Sequence, residues 1–162
     1  MERYFSRRYL LVSGIINGEM KLYTIGTSRT SAELFFCRVV TSGAAALVDI
    51  RLRNTSSLTG WAKRDDLRYF TNSICRIPYR HELQFAPTAK LLDESRRPDC
   101  SWGSYERDFL ALMAERKIED TDRESLDGAC LLCAEAAPQH CHRRLVVEYL
   151  AERWDGVEIC HL

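Results

Sequence analysis

A chain of 162 residues, 46% hydrophobic and 28% charged, with eight Gly and four Pro, has the makeup of one folded domain and not of a disordered or collagen-like polymer. Lys plus Arg and Asp plus Glu number 23 each, so no overall positive field draws the chain onto nucleic acid, and such binding would need a local patch. No apolar run reaches the ~18 residues that span a bilayer, and seven scattered cysteines behind a charged Met1–Arg8 start without a leader pattern point to free thiols in a reducing cytoplasm.

The stretch Tyr9–Ile16 is β-prone and is followed by Asn17-Gly18 and then Lys21–Ile25. Asn-Gly suits the two positive-φ positions of a tight hairpin. The expectation is therefore an N-terminal hairpin extension, residues 1–19, that adds an antiparallel strand to an α/β domain of residues 20–162. Strand Lys21–Ile25 ends in Gly26-Thr27-Ser28. A helix is expected from about Ser31 to Thr41, with Thr30 and Glu33 at capping-box spacing. Ala45–Ile50 is nearly continuous apolar sequence, as in a strand buried on both faces.

Arg51–Gly60 reads as a polar loop, Lys63–Ser73 as a helix and Cys75–Tyr79 as a third strand. Residues 80–101 contain Pro87, Pro98 and the charged run Asp93–Arg97, and read as a long irregular connection with a short helix near Thr88–Asp93. Tyr105–Lys117 places Phe109, Leu112 and Met113 on one helical face. Strand Ala129–Cys133, helix Pro138–Trp154 with Pro138 at its first position, and strand Val157–Leu162 complete the chain. Strands alternating with helices predict a single α/β domain with a central, mainly parallel sheet flanked by helices.

In an open parallel sheet, ligands bind beyond the carboxyl ends of the strands. Three such ends carry polar residues here. Gly26, Thr27 and Ser28 offer a turn able to hold an anion, although no glycine-rich phosphate-loop pattern is present. Asp49 and Arg51 lie two apart on one strand face, as a proton acceptor and an anion clamp, or as a structural ion pair. The third end is the densest: Cys133, Glu135, His140, Cys141, His142, Arg143 and Arg144 fall within twelve residues. The free N–H groups and partial positive charge of a helix start favour a thiolate or a bound anion there. Arg143 and Arg144 oppose that dipole, which asks for a carboxylate or an anionic ligand nearby.

Cys133 and Cys141 admit several readings: packed thiols, a Cys141 nucleophile, a redox pair, or metal ligands with His140, His142 and His161. A Cys-based phosphatase loop is excluded for Cys133, because the sixth residue after it is Gln139 where Arg is required. The seven residues between the two thiols match no usual zinc pair, and adjacent Cys141-His142 rarely both reach one ion, so no metal is assigned. Glu135 reads as a general acid/base or as the partner of Arg143.

These pieces resemble the family catalogued as domain of unknown function 488 (DUF488). The resemblance rests on Tyr23-Thr24-Ile25-Gly26-Thr27-Ser28, Leu47-Val48-Asp49-Ile50-Arg51, Leu132-Cys133-Ala134-Glu135 with Pro138, Cys141-His142-Arg143, and Ile159-Cys160-His161-Leu162, in order over residues 20–162. It implies a compact α/β domain whose motif residues line one cleft, and it supplies no reaction. Two departures stand out: Thr27 occupies a position where the family usually has His, and the loop after Arg51 lacks the usual Pro.

The leading expectation is an enzyme acting on an anionic substrate, nucleotide or nucleic-acid-related, in a cleft at the strand ends. Arg51, His142, Arg143 and Gly26–Ser28 would bind the anion; Asp49 or Glu135 would handle protons, and Cys133 or Cys141 would serve as nucleophile. The cofactor is unspecified. The rival is a non-catalytic module that binds nucleic acid or protein through Arg51, Arg53, Lys63 and Arg64. Neither reading involves a membrane.

Overall fold

In the computed structural model, which describes residues 19–55 and 59–162, five strands form one sheet. They are β1 (Met20–Gly26), β2 (Ala46–Asp49), β3 (Tyr79–His81), β4 (Ala129–Cys133) and β5 (Val157–His161). The order is β3-β2-β4-β1-β5, and every pairing is parallel. The two strands β2 and β4 lie inside the sheet and are buried along their whole length. Their near-continuous apolar sequences follow from helices covering both faces.

One face carries α1 (Ala32–Ser42) and α2 (Arg64–Phe70), whose apolar residues share a core with Ile25, Leu47, Cys130 and Leu132. The opposite face carries α3 (Ala89–Glu94), α4 (Trp102–Glu115), α5 (Arg123–Leu126) and α6 (His142–Ala151), which enclose Leu22, Val48 and Leu131. Alternate strand residues feed the two cores, as the two-residue period of a strand requires. The α/β class expected from the alternation of elements is the class observed.

Four boundaries differ from expectation, each for a local reason. The first helix is capped by Ser31, whose Oγ accepts the Leu34 N–H at 3.1 Å, so Thr30 is not the cap. The third strand is Tyr79–His81 and not Cys75–Tyr79. There, α2 continues into a wider π turn over Thr71–Cys75, and Arg76 at φ 59° ends it before the chain can pair. Helix α4 starts at Trp102, with Ser101 as its cap. Helix α6 starts at His142 with Cys141 at the cap position, so Pro138 lies in a loop and not on the first helical turn.

The expected N-terminal hairpin falls on residues 1–18, outside the described residues. The strand it was to join, β1, has β4 along one edge and β5 along the other. Among the described residues, no helix is long and apolar enough to cross a membrane.

Candidate functional site

The carboxyl ends of β1, β2 and β4 do converge, and they build two polar clusters side by side. The first grows from Asp49, fully buried at the end of β2. Its carboxylate accepts the Arg51 backbone N–H at 3.1 Å, Arg51 Nε at 2.8 Å and Arg51 Nη2 at 2.6 Å. The Tyr79 hydroxyl at 2.6 Å and Asn54 Nδ2 at 3.1 Å complete the set. Burial alone would raise this carboxyl, but the bonds from Arg51 and Tyr79 hold it below the usual carboxylate range. Burial likewise lowers Arg51, and Asp49 more than offsets it. Of the two readings open for this pair, the structure shows the ion pair: Arg51 is 5% exposed and its fork faces Asp49, not solvent. His81 Nε2 lies 2.8 Å from the Arg51 carbonyl and braces the same turn.

The second cluster grows from the end of β4. Cys133 is the last strand residue and is wholly buried. Its Sγ bonds the Glu135 Oε2 oxygen and lies 3.4 Å from His142 Nδ1. Cys141 Sγ donates to the same Oε2 at 3.1 Å. His142 Nε2 lies 3.1 Å from the Ile50 carbonyl. A carbonyl only accepts, so Nε2 carries the proton, and in the neutral ring Nδ1 presents its lone pair toward Cys133. The donor atoms of Cys133, Glu135, Cys141 and His142 all lie within 4.8 Å of one another. Sequence separation was a poor guide here, because the loop from Ala134 to Cys141 folds back and brings the second thiol against the first.

Two residues hold that loop. Arg143, 1% exposed, donates from Nη1 to the Glu135 carbonyl at 2.6 Å and to Cys141 Sγ at 3.3 Å, and from Nη2 to the Ala136 carbonyl at 3.1 Å. Gly26 permits the approach: a Cβ there would stand 1.9 Å from the Glu135 carbonyl oxygen. The backbone after it is occupied as well. Thr27 N–H donates to the Cys133 carbonyl at 3.2 Å and Ser28 N–H to the Ala134 carbonyl at 3.0 Å. These amides thus extend the strand pairing, and Gly26–Ser28 forms no open anion cradle. Thr27 itself is buried.

The charges expected to need an anionic ligand are answered within the protein. Arg144 pairs with Glu106 at 3.2 Å and Glu148 at 2.9 Å. Arg143 contributes to the interior rather than to a surface. The basic surface expected after β2 also carries its own counter-charges, since Arg53 pairs with Asp93 and Arg64 with Asp65. An activated Cys141 thiol fares no better: burial, with Cys133 beside it, pushes that thiol strongly upward. Glu135 behaves oppositely. The residue is exposed on one side. Desolvation of its carboxyl among its neighbours would raise it, yet the Cys133 thiol, His142 and the Cys141 thiol keep it below its usual range.

A pocket of about 310 Å³ opens directly onto this second cluster. Glu135, Cys141 and His142 form its floor, while Trp102, Tyr105 and His140 form aromatic walls. The Trp102 and His140 rings lie 5.1 Å apart, and Trp102 and Tyr105 lie 5.3 Å apart. Farther down α4, Phe109 packs against the His142 ring at 5.6 Å. Sequence reading named His140 but missed Trp102 and Tyr105. The signal was present in the spacing of Trp102, Tyr105 and Phe109, which is one helical stripe once the helix is begun at Trp102.

Comparison with known proteins agrees with this frame. The family model described as "Domain of unknown function DUF488" matches residues 31–150, and the chain belongs to that family. The matched span holds both clusters and leaves out Gly26–Ser28. No curated protein and no solved structure matches the chain.

Proposed function

We propose that this DUF488 protein is an enzyme that acts on a small molecule bearing a flat aromatic or heterocyclic group. The observation that supports it is the pocket in which Trp102, Tyr105 and His140 face Glu135, Cys141 and His142. Aromatic walls offer stacking area at low entropic cost, and the reactive side chains lie at the pocket floor. Glu135 is the group placed to move a proton. It is exposed on the pocket side, while its Oε2 is held by both thiols. Among the described residues no arginine or lysine lines the pocket, so recognition rests on stacking and on the floor residues, not on a guanidinium clamp. Within the earlier expectation of a nucleotide-related substrate, this favours the base over the phosphate.

Ligand-observed NMR with a panel of purines, pyrimidines, indoles and phenolic acids tests the reading. The expected result is a binder whose signal is lost with Trp102→Ala and with Glu135→Gln, both variants retaining the wild-type circular dichroism. A panel without binders, or binders indifferent to both substitutions, contradicts it.

A further inference from the structure

The four donor atoms of the second cluster, two sulfurs, an imidazole nitrogen and a carboxylate oxygen, all lie within 4.8 Å of one another. Cys133, Cys141 and His142 are buried, and Glu135 alone of the four is exposed, on the pocket side. Both sulfurs contact one oxygen of Glu135, and His142 Nδ1 faces Cys133. We infer that this cluster is a metal centre of the zinc class, held from the buried side by Cys133, Cys141 and His142 and closed from the pocket side by Glu135.

Three observations support it. Two sulfurs, one imidazole nitrogen and one carboxylate oxygen, all within 4.8 Å of one another, are the donor types and number that tetrahedral Zn²⁺ sites use. The Ile50 carbonyl fixes the tautomer that leaves His142 Nδ1 free to coordinate, an orienting contact typical of metal-bound histidine. The charges also close. Two thiolates and a carboxylate carry three negative charges. A divalent cation and Arg143, whose Nη1 bonds Cys141 Sγ, carry three positive ones. Arg51 is left out of that count, because Asp49 already balances its charge. Binding releases the two thiol protons to solvent, with no change of oxidation state.

Glu135 is the ligand that water or a substrate atom could replace, since it alone of the four is exposed. The ion's catalytic meaning rests on the pocket reading above, whereas the coordination itself does not.

Cobalt(II) titration of the full chain in reducing buffer provides the test. The expected result is a near-ultraviolet thiolate-to-cobalt band with visible bands of tetrahedral Co²⁺, saturating at one equivalent and displaced by Zn²⁺. Cys133→Ser and Cys141→Ser each reduce the thiolate band by about half or more, because one of two sulfurs is gone. Cys130→Ser and Cys160→Ser leave it unchanged and control for general effects of thiol loss. Glu135→Gln keeps the thiolate band. Arg143→Lys weakens affinity by roughly 10–100-fold, as loss of a supporting contact does. No thiolate band, a band that survives in the Cys133→Ser/Cys141→Ser double variant, or a Cys133–Cys141 disulfide in protein kept reduced overturns the inference. Cobalt binding with no binder in the NMR panel would refute the pocket reading alone, and binders without cobalt binding would refute the metal centre alone.

Discussion

Two polar clusters stand at neighbouring strand ends, and they differ in how completely they satisfy themselves. Around Asp49, one buried carboxylate faces a guanidinium, a phenol, an amide and a backbone N–H, so positive and negative charge match within the protein. Around Glu135, two thiols and a carboxylate crowd together, and Arg143, which bonds Cys141 Sγ, is shared with two backbone carbonyls. The first cluster is finished by its own residues and holds a turn in place. The second, by the inference above, takes a cation as well, and it is the one that opens on a pocket. Residue type alone does not separate a structural knot from a site; the balance of donors, acceptors and charge does.

Breaking the finished cluster should have the largest effect. Asp49→Asn leaves Arg51 buried without its partner and should cost about 3–5 kcal/mol in urea denaturation of chelator-treated protein. Its pH dependence has a defined sign. The folded carboxyl titrates below the ordinary 3.8, so its contribution is present above that value and is lost as pH falls through the lower folded value. The asparagine variant should lack that acid limb. Completing the unfinished cluster should come next: free Zn²⁺ at 100 times its dissociation constant should stabilise wild type by about 2.7 kcal/mol and the Cys133→Ser/Cys141→Ser variant not at all. Tyr79→Phe removes one 2.6 Å bond to the Asp49 carboxylate and should cost about 2 kcal/mol by the same denaturation assay. Cys133→Ser in chelated protein should be the mildest, about 1 kcal/mol or less, because the serine hydroxyl can keep the bond to Glu135. A larger loss than Asp49→Asn would invert the comparison.

Much of the fold was legible because central strands announce themselves. Ala129–Cys133 was read with its observed bounds, since a five-residue apolar run buried on both faces has few alternatives. The edge strand was misplaced. Its apolar neighbours Ile74 and Cys75 belong to a π turn, and only register with Leu47–Asp49 identifies Tyr79–His81 as the strand. The start of α6 was misread because Pro138 carries a helix-start signal, while the fold-back is imposed from outside the segment by Arg143 and Gly26. Every residue of the second cluster was named from sequence. Its shape was not, because spacing along the chain cannot show a loop returning on itself. The role of Arg143 was hidden for the same reason, because its partners are two backbone carbonyls and a sulfur brought in by the loop, whereas the Asp49–Arg51 ion pair was one of two readings open from their spacing on the strand.

X-ray absorption at the zinc edge of the metal-loaded protein tests the central claim most directly. The account predicts two sulfur neighbours at about 2.3 Å and two nitrogen or oxygen neighbours at about 2.0–2.2 Å. A first shell without sulfur would contradict it and would return Cys133 and Cys141 to ordinary packing.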